Sequence, residues 1–167
     1  NAMKGVANDS RGVISEVKQK FDRFAESSRA TERNVTYAQD VSFASLVKID
    51  HVVYKQRTYR VIAEGAQSEV ADAVRVNHHD CRLGQWYEGI GKTQFGHSPC
   101  YAKLEPVHAE VHNAAHRVIT QASQGWAHNF EIQSQIFDTF ITMESSSSKV
   151  MEDMDQMVTE KYGHKVV

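Results

Sequence analysis

The sequence predicts an all-α chain, an antiparallel four-helix bundle preceded by an additional N-terminal helix. Three observations carry that expectation. Only 2 of the 167 residues are proline. The 41% hydrophobic content is enough for one core. Apolar residues recur at steps of three and four, with no clear period-two stretches. A net charge of -2 leaves no basic surface for nucleic acid or acidic lipid. Mean hydropathy of -0.51 and the lack of a long apolar run argue against a membrane span, so no membrane contact is expected.

The elements follow in order. Asn1-Ala2 before Met3 reads as a tag remnant, and nothing resembles a signal peptide, so a cytoplasmic location is expected. The plan is 1–3 remnant and start, 4–40 flanking helix, 41–162 bundle and 163–167 tail. The flanking helix, from Asp9 to about Gln39, has a sparse seam of Val13, Val17, Phe21 and Phe24, with a break expected at Ser27-Ser28 and Thr31. It is too polar for a core helix, so it docks on the bundle, extends as a coiled coil or pairs with another subunit.

The first arm of the bundle is expected to start near Val41 or Ser42, with an inner stripe of Phe43, Val47, His51, Tyr54, Thr58 and Val61. Gly65 closes it and Ser68 caps the second arm, which runs to Tyr87 with Val70, Val74, Asn77 and Cys81 inward. The glycines between Glu88 and Pro99 predict a loop. Pro99 suits the first turn of a third helix reaching Gln124, with Leu104, His108, Val111, Ala115 and Val118 inward and His112 and Ile119 on the flank. A last helix follows Gly125 and reaches Tyr162, carrying Phe130, Phe137, Ile141, Ser148, Met151 and Met157. The run Ser145 to Ser148 interrupts that face and suggests a kink.

Four residues on these inner faces are metal-ligand candidates: His51, Cys81, His108 and His112. Each arm around Gly65 is about 14 residues, roughly 21 Å of helix, which returns His51 and Cys81 to one level. About two turns lead from Cys81 into the loop and two more from Pro99 to His108. His112 lies one turn further, the ~6 Å step that lets two imidazoles share an ion. An imidazole or thiol on an apolar face costs free energy unless a partner satisfies it.

The other histidines rank lower. His78 leans inward beside Cys81 and is the rival ligand, while helical geometry turns His79 to the opposite, solvated face. His116 sits at the edge of the third stripe, and His97, His128 and His164 lie in loops or at the terminus. Cys100, after Pro99, reads as a small semi-buried side chain, with a resolving thiol for Cys81 as the minor alternative. Three imidazoles and one thiolate suit Zn2+, and four protein ligands close its sphere, which argues against an enzyme.

The segments Lys48-Ile49-Asp50-His51 with Tyr54-Lys55, Cys81-Arg82-Leu83-Gly84-Gln85-Trp86-Tyr87, and Leu104-Glu105-Pro106-Val107-His108 with His112 resemble the chemoreceptor zinc-binding (CZB) domain family over roughly residues 42 to 122. The family pattern is a histidine, a Cys-x-[Leu/Phe]-Gly-x-Trp core and a closing His-x-x-x-His. The resemblance implies zinc on His51, Cys81, His108 and His112. It also implies a two-fold homodimer, and attachment to a bacterial chemotaxis receptor or another output module such as a diguanylate cyclase. Signalling by zinc or by oxidants such as hypochlorous acid would follow, with Cys81 as the redox switch.

Three neighbours of the ligands have expected roles. Gly84 permits close approach or local unwinding that aims Cys81, Trp86 packs at the bundle end, and Asp50 accepts from an imidazole on a neighbouring helix. Two rivals stand beside this reading. One is a purely structural zinc dimerisation module. The other is a di-iron, hemerythrin-like oxygen binder, for which Glu105-x-x-His108 has the local spacing but no second such motif exists.

Overall fold

The computed structural model describes residues 2–163. Among them every regular element is helical, and no strand occurs, as the periodicity predicts. His164 and the rest of the expected tail after Gly163 lie outside the described residues, as does Asn1. Two compact units divide after Gln39.

Helix α1 spans Ala2–Glu64 without interruption, so the breaks expected at Ser27-Ser28, Thr31 and Val41 do not occur. Hydroxyls along the helix bond to its own carbonyls. Thr31 donates to the carbonyl of Ser27 (3.0 Å), Thr36 to that of Glu32 (3.0 Å) and Ser45 to that of Val41 (2.9 Å). Such bonds satisfy the hydroxyl at little cost to the helix. In the first unit Val13, Ile14, Val17, Phe21 and Phe24 are all exposed.

The second unit begins at Asp40. Gly65 adopts a φ of 93° and donates its N–H to Val61 at 2.8 Å, ending α1 where the sequence places the stop. Ser68 then caps α2 (Glu69–Val74) by accepting from the Ala71 N–H at 3.2 Å. The expected second arm is not one helix. After Val74 the chain leaves helical geometry until Cys81 caps α3 (Arg82–Trp86). Asn77 is the cause: its side chain accepts the His79 N–H at 3.1 Å, and its carbonyl accepts from Asp80 at 3.0 Å. An asparagine that satisfies nearby N–H groups favours a turn over a helix. Asn77 is accordingly exposed rather than part of an inner stripe.

The expected loop between Glu88 and Pro99 is largely helical instead. A π-helical turn (Tyr87–Gly91) leads into α4 (Lys92–Phe95), and non-helical Gly89 gives the kink. Ser98 caps α5 (Pro99–Ala122), with Pro99 in the first turn. Gly125, at φ 69°, and a single 3-10 turn (Trp126–His128) lead to Asn129, which caps α6 (Phe130–Tyr162).

Ion pairs set the register of the long helices. Asp40 meets Lys161 (2.7 Å), Lys48 meets Asp155, and Lys55 meets Glu144 (2.6 Å), so α6 runs antiparallel to α1 from Asp40 onward. Gln121 reaches Thr139 (3.1 Å) and Cys100 reaches Glu160 (3.3 Å), so α5 and α6 are antiparallel as well. The core between them includes Val47, Val61, Leu104, Val111, Val118, Met143, Val150 and Met154. Full burial of one such side chain stabilises by about 1.5–3 kcal/mol.

On α6 the buried face is Ile136, Thr139, Met143, Ser146, Ser147, Val150, Met154, Met157 and Val158. Phe130, Phe137 and Ile141, expected on the apolar face, are 83%, 64% and 53% exposed. The serine run does not interrupt the helix, and two of its members face inward. No helix among the described residues is long and apolar enough to cross a membrane.

Candidate metal centre

His108 and His112 lie one turn apart on α5, both buried, at 2% and 3% exposure. Their rings are 5.0 Å apart, and His51 on α1 packs 5.6 Å from His108. Cys81 reaches them from the turn before α3, where its Sγ lies 3.2 Å from Nε2 of His108. The ligand atoms of Cys81, His108 and His112 fall within 4.8 Å of one another. His51, the fourth expected ligand, is not in that group of three; it borders the same pocket from α1, with its ring 5.6 Å from that of His108. The expected equal helical arms are not what brings Cys81 to this level, since a non-helical turn does so.

Two backbone carbonyls settle which nitrogen each outer imidazole presents. Nδ1 of His51 is 2.9 Å from the Val47 carbonyl, and Nδ1 of His112 is 2.9 Å from the Val76 carbonyl. A carbonyl only accepts, so both Nδ1 atoms carry the proton and both Nε2 atoms keep a lone pair. The Nε2 of His51 is buried with no hydrogen-bond partner among the described residues. An unsatisfied buried polar atom costs about 1–3 kcal/mol, and a bound cation removes that cost. The donor set of imidazoles and a thiolate is chemically suited to zinc, so the residues fit that ion.

Electrostatics agree with the tautomers. Burial holds all three imidazoles below their ordinary range, His112 at about 4 and His108 at about 2, the latter also through its histidine neighbours. They are neutral, the form that ligates. Burial pushes the Cys81 thiol up, against the opposing backbone N–H groups of Gly84 and Leu83. Metal binding must therefore displace a proton from Cys81.

The supporting residues were only partly anticipated. Gly84 donates its N–H to Cys81 Sγ at 3.4 Å. A Cβ on Gly84 would stand 1.9 Å from the His78 carbonyl oxygen, so only glycine allows this approach. Trp86 stacks on Phe43 at 4.9 Å and lies 5.5 Å from Phe95. Asp50 does not accept from an imidazole among the described residues; its carboxylate pairs with Arg82 at 2.8 Å. Tyr54 packs 4.6 Å from His112 and donates to the Val74 carbonyl at 2.9 Å. The carbonyls of Val47 and Val76 carry no side-chain signature, so sequence reasoning could not find them.

The remaining sulfur and nitrogen groups fall outside this cluster. Both cysteines are free, and Cys100 is buried beside Glu160. His79 is exposed, as expected, but because the segment is a turn rather than a helix its ring lies 3.9 Å from that of His78. His116 is half-buried near Arg75 and Ile119, and His97 and His128 are exposed. A pocket of about 300 Å³ opens against the site, lined by His51, Tyr54, Arg57, Cys81, Arg82 and His112 among others.

Residues 51–119 match the family model of the Chemoreceptor zinc-binding domain, a span that starts at His51 and contains Cys81, His108 and His112. No curated protein and no solved structure matches the chain. The chain thus carries a zinc-binding domain of the chemoreceptor zinc-binding family in residues 51–119.

Proposed function

We propose that His51, Cys81, His108 and His112 hold one Zn2+ and that this domain is a non-catalytic sensory element of bacterial signalling, with Cys81 as its oxidant- or zinc-responsive ligand. The carrying observation is the pair of carbonyl bonds that leave the Nε2 atoms of His51 and His112 as lone-pair donors beside Cys81 and His108. Zinc held there supplies a crosslink between α1, α5 and the turn before α3. Four protein ligands complete a tetrahedral set and leave no position for a reacting water.

Cys81 is the only one of the four that an oxidant converts readily. Its thiolate sulfur attacks the chlorine of hypochlorous acid and displaces hydroxide, and water then hydrolyses the sulfenyl chloride to a sulfenic acid, releasing chloride and a proton. Cys81 is only partly buried and lines the pocket beside the site, so small solutes can reach it. A sulfenic acid is a poorer zinc ligand than a thiolate, so oxidation loosens the crosslink and alters helix packing.

The same reading includes a homodimer serving a receptor or other output module in the cytoplasm. What supports self-association is the apolar surface left exposed on α1 (Ile49, Val52, Val53) and on α6 (Phe137, Ile141).

Zinc content and affinity, measured before and after mild hypochlorous acid, test the switch. The expected result is one zinc per chain, released on oxidation with a change in circular dichroism or proteolysis. Zinc retained through oxidation of Cys81 overturns the switch and leaves a structural zinc domain.

A further inference from the structure

A second group of metal-ligand side chains lies outside the first. The ligand atoms of His78, His79 and Glu105 fall within 4.8 Å of one another. His78 Nε2 is 3.2 Å from Glu105 Oε1, and the two imidazoles face each other with centroids 3.9 Å apart. These residues come from two elements. The turn made by Asn77 supplies both histidines, and α5 supplies Glu105 one turn before His108.

We propose that His78, His79 and Glu105 form a second, solvent-facing site for a borderline divalent cation, with zinc as its ligand. Two imidazoles and one carboxylate are a donor set that zinc accepts with a position left for water. Nδ1 of His79 is hydrogen-bonded to the Glu88 carboxylate, which directs the proton to Nδ1 and leaves Nε2 as the donor. A carboxylate behind a ligating imidazole orients the ring and raises its basicity. The side chains of His78, Glu105 and His79 are 19%, 40% and 49% exposed, so a hydrated ion can reach them without opening the core.

Position relative to the first site sets the rank. The His78 ring is 5.8 Å from that of His108 and 6.3 Å from that of His112. Two divalent charges at neighbouring clusters repel, and the outer site has more water and fewer protein donors. The outer site therefore binds more weakly and fills only after the inner one, which gives the domain a second, higher range of zinc response. Without the ion, the same side chains form the pairs His78–Glu105 and His79–Glu88.

Zinc titration against a chromogenic chelator tests this on the whole chain as wild type, His79→Ala, Glu105→Gln and Cys81→Ser. The wild type is expected to take two equivalents, the second at least 100-fold weaker. His79→Ala and Glu105→Gln should each lose the weaker equivalent and keep the tighter one, whereas Cys81→Ser should weaken only the tighter one. Cobalt provides a second readout, with thiolate-to-metal absorption saturating at the first equivalent and only weak ligand-field bands added by the second. Saturation of the wild type at one equivalent overturns the proposal. So does a second equivalent that persists in both His79→Ala and Glu105→Gln. If Cys81→Ser keeps tight zinc, the inner ligand assignment fails while the outer site is judged on the other variants.

Discussion

The His78 carbonyl oxygen and the α-carbon of Gly84 approach so closely that a Cβ on Gly84 would lie 1.9 Å from that oxygen. The clash is with backbone, which cannot rotate away as a side chain can. The turn carrying His78, His79 and Cys81 is thereby pressed against the first residues of α3, and the Gly84 N–H reaches Cys81 Sγ. Gly84→Ala should destabilise the domain by about 2 kcal/mol, within the usual range for overpacking. For a chain of this size that lowers Tm by about 4–8 °C. Thermal unfolding of the zinc-loaded protein measures it, and an unchanged Tm would show that the turn relaxes freely.

Cys81→Ser replaces a thiolate by a hydroxyl that does not ionise at neutral pH. Zinc affinity should fall at least ~100-fold, beyond the range seen on loss of an outer-sphere partner. Chelator competition reads the change. Wild-type affinity in this variant would remove Cys81 from the ligand set.

Stability of the metal-free protein should fall as the solution is acidified. His51, His108 and His112 have folded pKa values below their ordinary 6.5, so the folded chain binds fewer protons than the unfolded one as pH drops through 6.5. Above that pH these groups contribute no pH dependence. Below it each further unit costs stability, down through about 4 for His112. Cys81 acts in the opposite direction at the alkaline end, since its raised pKa makes the folded state hold the proton longer. Urea unfolding in chelator between pH 5 and 8 checks the acid limb; a flat profile there would contradict neutral burial of the imidazoles.

Self-association should depend on the exposed face of α6. Ile141 is 53% exposed, so Ile141→Glu should change the stability of a single chain by no more than ~0.5 kcal/mol. In sedimentation experiments the wild type is expected as a dimer and Ile141→Glu or Phe137→Glu as a monomer. A monomeric wild type, or charged variants that still dimerise, would place any dimer contact elsewhere.

Local sequence chemistry accounts for the helical class, the stop at Gly65, the cap at Ser68, Pro99 in the first turn of α5, and the inward faces of α1 beyond Asp40 and of α5. These depend on local chemistry: a positive φ for glycine, a hydroxyl near free N–H groups, and a 3.6-residue period. The pairing of His108 with His112 was legible for the same reason, since both lie on the inward side of one helix; Cys81 joins them through the turn before α3, not through a helix face. Tertiary structure decided what periodicity does not encode. Asn77 competes with the helix and converts the second arm into a turn, which leaves His79 exposed as expected but sets its ring against that of His78 and pairs it with Glu88. The buried face of α6 was chosen against its bulkiest residues, because packing selects the face that fits α1 and α5 rather than the most apolar one. The carbonyls of Val47 and Val76 fix the tautomers of His51 and His112, and backbone atoms acquire that role only when the fold brings them to an imidazole.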